Sequence, residues 1–173
     1  MQDSVLIPTG RKMKSYACMR SLYQRGIRTI VASEHERIPH FSSRYCSERV
    51  RLPAPPQELH TYKDALLEIA SRPDVKTIIP VREGDVYIFA KFRDEFEDHV
   101  SLVSPDLEVL GKGHDRLRLA EAAKEAGVPM AETRLLSDGE KWDRDVVGKS
   151  RYKILAREYV AWYPSDPIKK KKN

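Results

Sequence analysis

Residues 3–32, DSVLIPTGRKMKSYACMRSLYQRGIRTIVA, decide the fold. Asp3–Pro8 is a short apolar run that stops at Thr9-Gly10, as a buried strand does. Ser15–Arg25 sets Ala17, Cys18, Met19 and Leu22 along one helical face, with Ser15 as the expected N-cap and Gly26 as the stop. Ile27–Ala32 is a second run rich in β-branched residues. Strand, turn, helix, glycine and strand in this order make a βαβ unit, whose crossover is right-handed.

The alternation continues along the chain. Arg49–Leu52 reads as a short strand, followed by a loop with prolines at 53, 55 and 56. Thr61–Ser71 predicts an amphipathic helix capped by Thr61 and stopped before Pro73. Lys76–Val81 is strand-like, and Gly84–His99 predicts one long helix with Val86, Ile88, Phe89, Phe92 and Phe96 inward. Val100–Val103 is a further strand. Strands alternating with helices predict an α/β domain over residues 1–105, an open, mostly parallel Rossmann-like sheet covered on both faces. Residues 106–130 read as linker helices, at Asp106–Leu110 and Asp115–Ala126, with Gly127-Val128-Pro129 ending the second. Beyond them, Glu132–Leu136 and Arg144–Ser150 are strand candidates, and Tyr152–Trp162 fits helix or strand. Pro164–Pro167 breaks the chain, and residues 164–173 read as a disordered basic tail.

Composition narrows the class. The chain has 173 residues, 40% hydrophobic and 33% charged, enough to bury a core without disulfides or a structural metal. The longest apolar run falls far short of the ~20 residues that a bilayer crossing needs, and no signal peptide is expected. Cys18 and Cys46 fit a reducing cytoplasm. The formal charge of +5 is local: without Lys169–Lys172, 27 basic residues face 26 acidic ones. The tail is expected to be solvated, and nucleic acid is not the expected partner.

Several motifs are absent. Gly10 stands alone where a dinucleotide fold needs G-x-G-x-x-G, although Glu34 closes the second strand, the position of a ribose-binding acid. Gly111-Lys112-Gly113 lacks the leading Gly and the Ser/Thr of a P-loop, so these glycines are expected to join two helices. The histidines at 35, 40, 60, 99 and 114 have no partner at ligand spacing, and no metal site is expected.

Two segments can carry chemistry. Gly10 and Arg11 follow the first strand, where a small anion or polar substrate can sit at a helix N-terminus; alternatively Gly10 permits a tight turn and Arg11 is solvated. Pro80-Val81-Arg82-Glu83-Gly84-Asp85 lies at the carboxyl end of an apolar strand, the edge where open α/β sheets bind ligands. Glu83 and Asp85 can accept hydrogen bonds from a substrate there, or serve only as first-turn acids favoured by the helix dipole.

The βαβ layer with Pro-x-x-Glu after its fourth strand is followed by Asp115-Arg116 opening a helix. Ala126-Gly127-Val128-Pro129 ends that helix, and Val146-Val147-Gly148-Lys149 comes later. This order resembles the N-terminal part of ATP-grasp carboxylate–amine ligases, in the group of the carbamoyl phosphate synthase large subunit and D-alanine–D-alanine ligase. The resemblance covers nearly all of residues 3–160. It implies a pre-ATP-grasp domain, a linker helix and, over 131–163, the start of an incomplete ATP-grasp lobe. By the same resemblance Arg116 and Lys149 contact ATP phosphates, and Glu83, Gly10 and Arg11 line the substrate pocket. No catalytic residue follows from it.

The resemblance also has departures. Ser150–Lys153 holds no glycine where the family has a glycine-rich loop, and Gly148 replaces a β-branched residue. The family uses ATP and Mg²⁺, but its magnesium ligands lie beyond Asn173. The chain is therefore expected to be inactive alone, to represent a truncated or frameshifted frame, and to hold a small carboxylate or amine or pair with a separate C-terminal half. The alternative is a stand-alone α/β binding module for a small polar ligand or a protein partner.

Overall fold

The computed structural model describes residues 2–53, 59–135 and 147–152. The chain divides into two compact units, Met1–Leu107 and Glu108–Asn173. The first contains β1 (Ser4–Ile7), α1 (Met13–Tyr23), β2 (Arg28–Ser33), a 3₁₀ turn (Pro39–Ser42), β3 (Glu48–Arg51) and α2 (Leu59–Ala70). It continues through β4 (Val75–Ile78), α3 (Glu83–Lys91), α4 (Arg93–Glu97) and β5 (Ser101–Leu102). α5 (Leu107–His114) and α6 (Arg116–Glu125) follow.

The five strands form one sheet in the order β3-β2-β1-β4-β5, and every pair is parallel. The chain builds outward from β1 in one direction, then returns to pair β4 against β1 on the other side. That reversal leaves a crevice at the carboxyl ends of β1 and β4.

Successive residues of a strand point to opposite faces. Ile7 of β1 and Val31 of β2 therefore share one face, where they pack with Met19 of α1 and with Ile38. Leu6, Ile30 and Ala32, all fully buried, belong by alternation to the other face. Buried Tyr62, Leu66, Phe89 and Phe96 come from α2, α3 and α4. Phe89 and Phe96 meet edge to face with ring centroids 4.9 Å apart.

Several local expectations are corrected. α1 starts after Lys12, an extended N-cap with no side-chain capping bond, rather than at Ser15. Ser15 instead buries its hydroxyl inside the helix and donates it to the Thr9 carbonyl. Ala17 is exposed, so the inward stripe is Ser15, Cys18, Met19 and Leu22. Gly26 is the expected stop: its φ is +72°, a conformation that a Cβ penalises. Thr61 lies within α2 and does not cap it. The long helix expected over 84–99 is two helices, because Phe92 at φ −110°, ψ 29° leaves the helical region between them. Gly111 and Gly113 lie inside α5 and do not form a linker. Residues 132–135 are exposed and form no strand, and residues 147–150 form none either. The expectations for Leu136, residues 144–146 and residues 153–173 lie outside the described residues.

The amino-terminal edge of the sheet is closed by ion pairs. Arg72 binds Glu48 through both Nη atoms, at 2.6 and 3.0 Å, and also reaches Asp74 at 3.2 Å. Asp74, almost fully buried, accepts from the Ser4 hydroxyl at 3.1 Å and lies 3.7 Å from Arg28. The Arg72 guanidinium holds both carboxyls below their ordinary range, against the opposing effect of burial. Among the described residues, no helix is long and apolar enough to cross a membrane.

Candidate functional site

At the carboxyl edge, the loops after β1 and β4 and the end of β2 converge on one buried carboxylate. Asp85, in the first turn of α3, is completely inaccessible to solvent. Thr9, just past β1, donates its hydroxyl to Asp85 Oδ2. Tyr62 of α2 donates to Oδ1 at 2.9 Å, and Arg82 donates to the same oxygen at 2.9 Å. Arg82 in turn lies 3.6 Å from Glu34, which follows β2. The three partners come from separate places in the sequence, and Arg82 extends the cluster to Glu34 at the end of β2.

The electrostatics follow from this packing. Burial, reinforced by the neighbouring Asp85 charge, pushes the Tyr62 phenol well above its usual range, so the group stays protonated and donates. Burial works against the Arg82 cation, but Asp85, Tyr62 and Glu34 outweigh it and hold the guanidinium above its ordinary value. Arg82 Nε is buried and has no hydrogen-bond partner among the described residues. A buried donor of this kind is satisfied when an acceptor arrives.

Gly10 sits at the bend after β1. Its N–H donates to Ala32 O at 2.8 Å, and its carbonyl is bonded by His40 Nδ1. A Cβ at Gly10 would lie 2.4 Å from Val31 Cγ1 and 2.8 Å from Ile38 Cδ1. Glycine is therefore required by close packing, with both backbone polar groups already engaged. Arg11 is exposed beside it, and Glu83 is exposed at the first position of α3. The structure brings Gly10, Arg11 and Glu83 to the same sheet edge. Asp85, Tyr62 and Thr9 are its buried support, with Arg82 half-buried beside them. Asp85 is legible in the sequence as an acid at this edge, whereas Thr9 and Tyr62 carry no local signal and Arg82 has only its place beside Glu83 in Pro-Val-Arg-Glu.

The second unit holds Arg116 and Lys149. Asp115 caps α6 by accepting from Leu117 N at 3.0 Å and Arg118 N at 3.4 Å. Arg151 grips the same carboxylate, with Nε 3.1 Å from both oxygens and Nη2 2.9 Å from Oδ2. Burial opposes the Asp115 charge, but Arg151 and the two amides outweigh it and keep the carboxyl below its ordinary range. Arg116 donates its backbone N–H to Arg151 O at 3.0 Å and its Nε to Ser150 O at 2.8 Å. Lys149, exposed, precedes that serine. The clasp thus brings Lys149 close to the start of α6, across more than thirty intervening residues. Among the described residues, no group of three His, Cys, Asp or Glu could hold a metal ion.

No protein-family model matches the sequence, and no curated protein matches it. Solved structures do. The biotin carboxylase domain of a thermophilic 2-oxoglutarate carboxylase aligns with a TM-score of 0.58 and 23% identity, over 80% of this chain and 30% of that one. The corresponding domain from Hydrogenobacter thermophilus, in complex with MgADP and bicarbonate, gives 0.56 and 23% over 75% of this chain and 28% of that one. A single-chain, multi-domain long-chain acyl-CoA carboxylase gives 0.56 and 26%, over 76% of this chain and 14% of that one. The chain thus spans less than a third of the length of these matches. In fold, the chain matches the N-terminal region of these biotin carboxylase domains, which are ATP-grasp enzymes.

Proposed function

We propose that this chain is the N-terminal substrate-binding portion of an ATP-dependent carboxylate–amine ligase, whose complete form activates a carboxylate as an acyl phosphate. The observation that carries the reading is the strand reversal between β1 and β4, which gathers Gly10, Arg11, Arg82 and Glu83 at one carboxyl edge. A small carboxylate or bicarbonate gives the buried Arg82 Nε its missing acceptor, while Glu83 accepts from an amine or hydroxyl. Bicarbonate is the anion in the Hydrogenobacter thermophilus complex.

Arg116 and Lys149 contribute cationic contacts to the ATP phosphates, and the Asp115–Arg151 clasp orders the backbone that carries them. The described residues do not fit a magnesium site, so no step through the metal is assigned to this chain. A separate C-terminal half would complete the lobe, and this portion binds substrate without turning it over.

The nucleotide role is tested by titrating a fluorescent ATP analogue into the full chain. Arg116→Ala/Lys149→Ala should weaken its binding by about tenfold or more, the loss of roughly 1.4 kcal/mol of charge-assisted contact. Unchanged affinity in the double variant removes both residues from the nucleotide site.

A further inference from the structure

Arg82 divides its guanidinium between two carboxylates of unequal grip. Asp85, completely buried, holds Nη2 through Oδ1 at 2.9 Å, within hydrogen-bond length. Glu34 comes no nearer to Nη1 than 3.6 Å, beyond a hydrogen bond, so it acts on the arginine by charge and does not fix its position. Nε, buried and without an acceptor among the described residues, is left for the anion. The same Oε1 of Glu34 that faces Arg82 also lies 3.7 Å from His35 Nε2. The His35 backbone N–H donates to the hydroxyl of fully buried Ser33 at 3.1 Å, while its side chain is 44% exposed. One carboxylate oxygen thus stands between a permanent cation and a side chain of the type that gains its charge between roughly pH 8 and pH 5.

Within Glu34, Arg82 and Asp85 the carboxylates outnumber the cation. An anion approaching Nε therefore meets a guanidinium whose charge is already opposed on both other nitrogens, and a protonated His35 offsets one of the two opposing charges. We propose that Glu34 is a positioning residue that holds down the anion affinity of Arg82, and that protonation of His35 relieves this restraint. The inference rests on the reading of this edge as a site for a small carboxylate or bicarbonate. The other titratable and charged groups at the edge act elsewhere. Tyr62 of α2 stays protonated and donates to Asp85, and His40 bonds the Gly10 carbonyl through Nδ1. Arg11 and Lys12 of the β1 loop, Glu36 and Arg37 next to His35, and Glu83 of α3 are exposed, where water and salt screen their charges.

The test titrates formate, an anion ionised throughout this range, into the ¹⁵N-labelled full chain and follows the Arg82 Nε and loop amide shifts. Formate should bind about threefold or more tightly at about pH 6 than at about pH 8. Glu34→Gln, which keeps the shape and removes the charge, should bind at both pH values at least as tightly as the unaltered chain does at the lower one. His35→Gln, at an exposed position, should show the weaker affinity at both. A pH dependence that survives in both variants overturns the proposal and belongs to another group, such as His40. Weaker binding by Glu34→Gln at the higher pH also overturns it, because Glu34 would then hold Arg82 in place instead of opposing its charge. Should Glu34→Gln fail to fold, His35→Gln decides alone. Formate shifts indifferent to both substitutions overturn this inference and leave the anion reading standing. No shift in these loops, in any of the three proteins at either pH, overturns the anion reading as well.

Discussion

Asp85 and Gly10 show how single residues set the carboxyl edge. Gly10 was legible as a turn residue from its place after an apolar run. Its second constraint was not, because Val31 and Ile38, which crowd its Cα, arrive from elsewhere in the sequence. Gly10→Ala should destabilise the protein by about 1–3 kcal/mol, since the added methyl must displace packed side chains; thermal unfolding checks this. Asp85 was ambiguous because an acid in a first helical turn is usually exposed to solvent. Only the fold supplies Thr9 and Tyr62, 76 and 23 residues away, to replace the lost water. Tyr62→Phe removes one of the two donors to Asp85 Oδ1, leaving Arg82 alone on that buried oxygen. It should cost about 1–3 kcal/mol in chemical denaturation while the fold persists. A cost below a few tenths of a kcal/mol would mean that the hydroxyl is replaceable by solvent.

Among the elements, the strand and helix alternation was readable because each run has its own period and its own punctuation. Errors cluster at helix ends. Ser15 looks like a cap in sequence, but the turn after β1 is short enough for α1 to begin before it, and the hydroxyl serves the Thr9 carbonyl instead. Phe92 breaks the helix over 84–99 without a proline or glycine to announce it, so periodicity alone gave no warning. The strand expected at 132–136 had the right composition, yet residues 132–135 are exposed and unpaired as strand. The ionic cluster at the amino-terminal edge joins β1, β2, β3 and β4, and Arg72 is its centre. Because the Glu48 and Asp74 carboxyls are lowered in the folded state, their contribution is present above the ordinary carboxylate range and is lost as pH falls through the lowered values. Arg72→Ala should cost on the order of 2 kcal/mol at neutral pH, a value discounted for the partial exposure of the arginine. The same variant should show a shallower loss of stability between neutral and acid pH. An unaltered acid limb would show that Arg72 is not what holds these carboxyls ionised.

For the whole molecule, the class of fold was readable and the order of strands was not. Alternating elements specify a parallel sheet, but nothing local says that β4 returns to the far side of β1. That return creates the crevice and brings the loops after β1 and β4 to one edge. The same holds in the second unit: Arg116 and Lys149 are far apart in sequence, and the Asp115–Arg151 clasp that associates their segments is a tertiary pair. The two units carry separable proposals, an anion-holding edge in the first and nucleotide contacts in the second. The central claim is that the carboxyl edge of the first unit holds a small carboxylate or bicarbonate. The most direct measurement is a titration of bicarbonate into the ¹⁵N-labelled full chain, followed by amide chemical shifts. The account predicts saturable shifts confined to Thr9–Lys12 and Arg82–Asp85, with the Arg82 Nε resonance moving alongside them. Saturable shifts elsewhere, with these two loops silent, would contradict it.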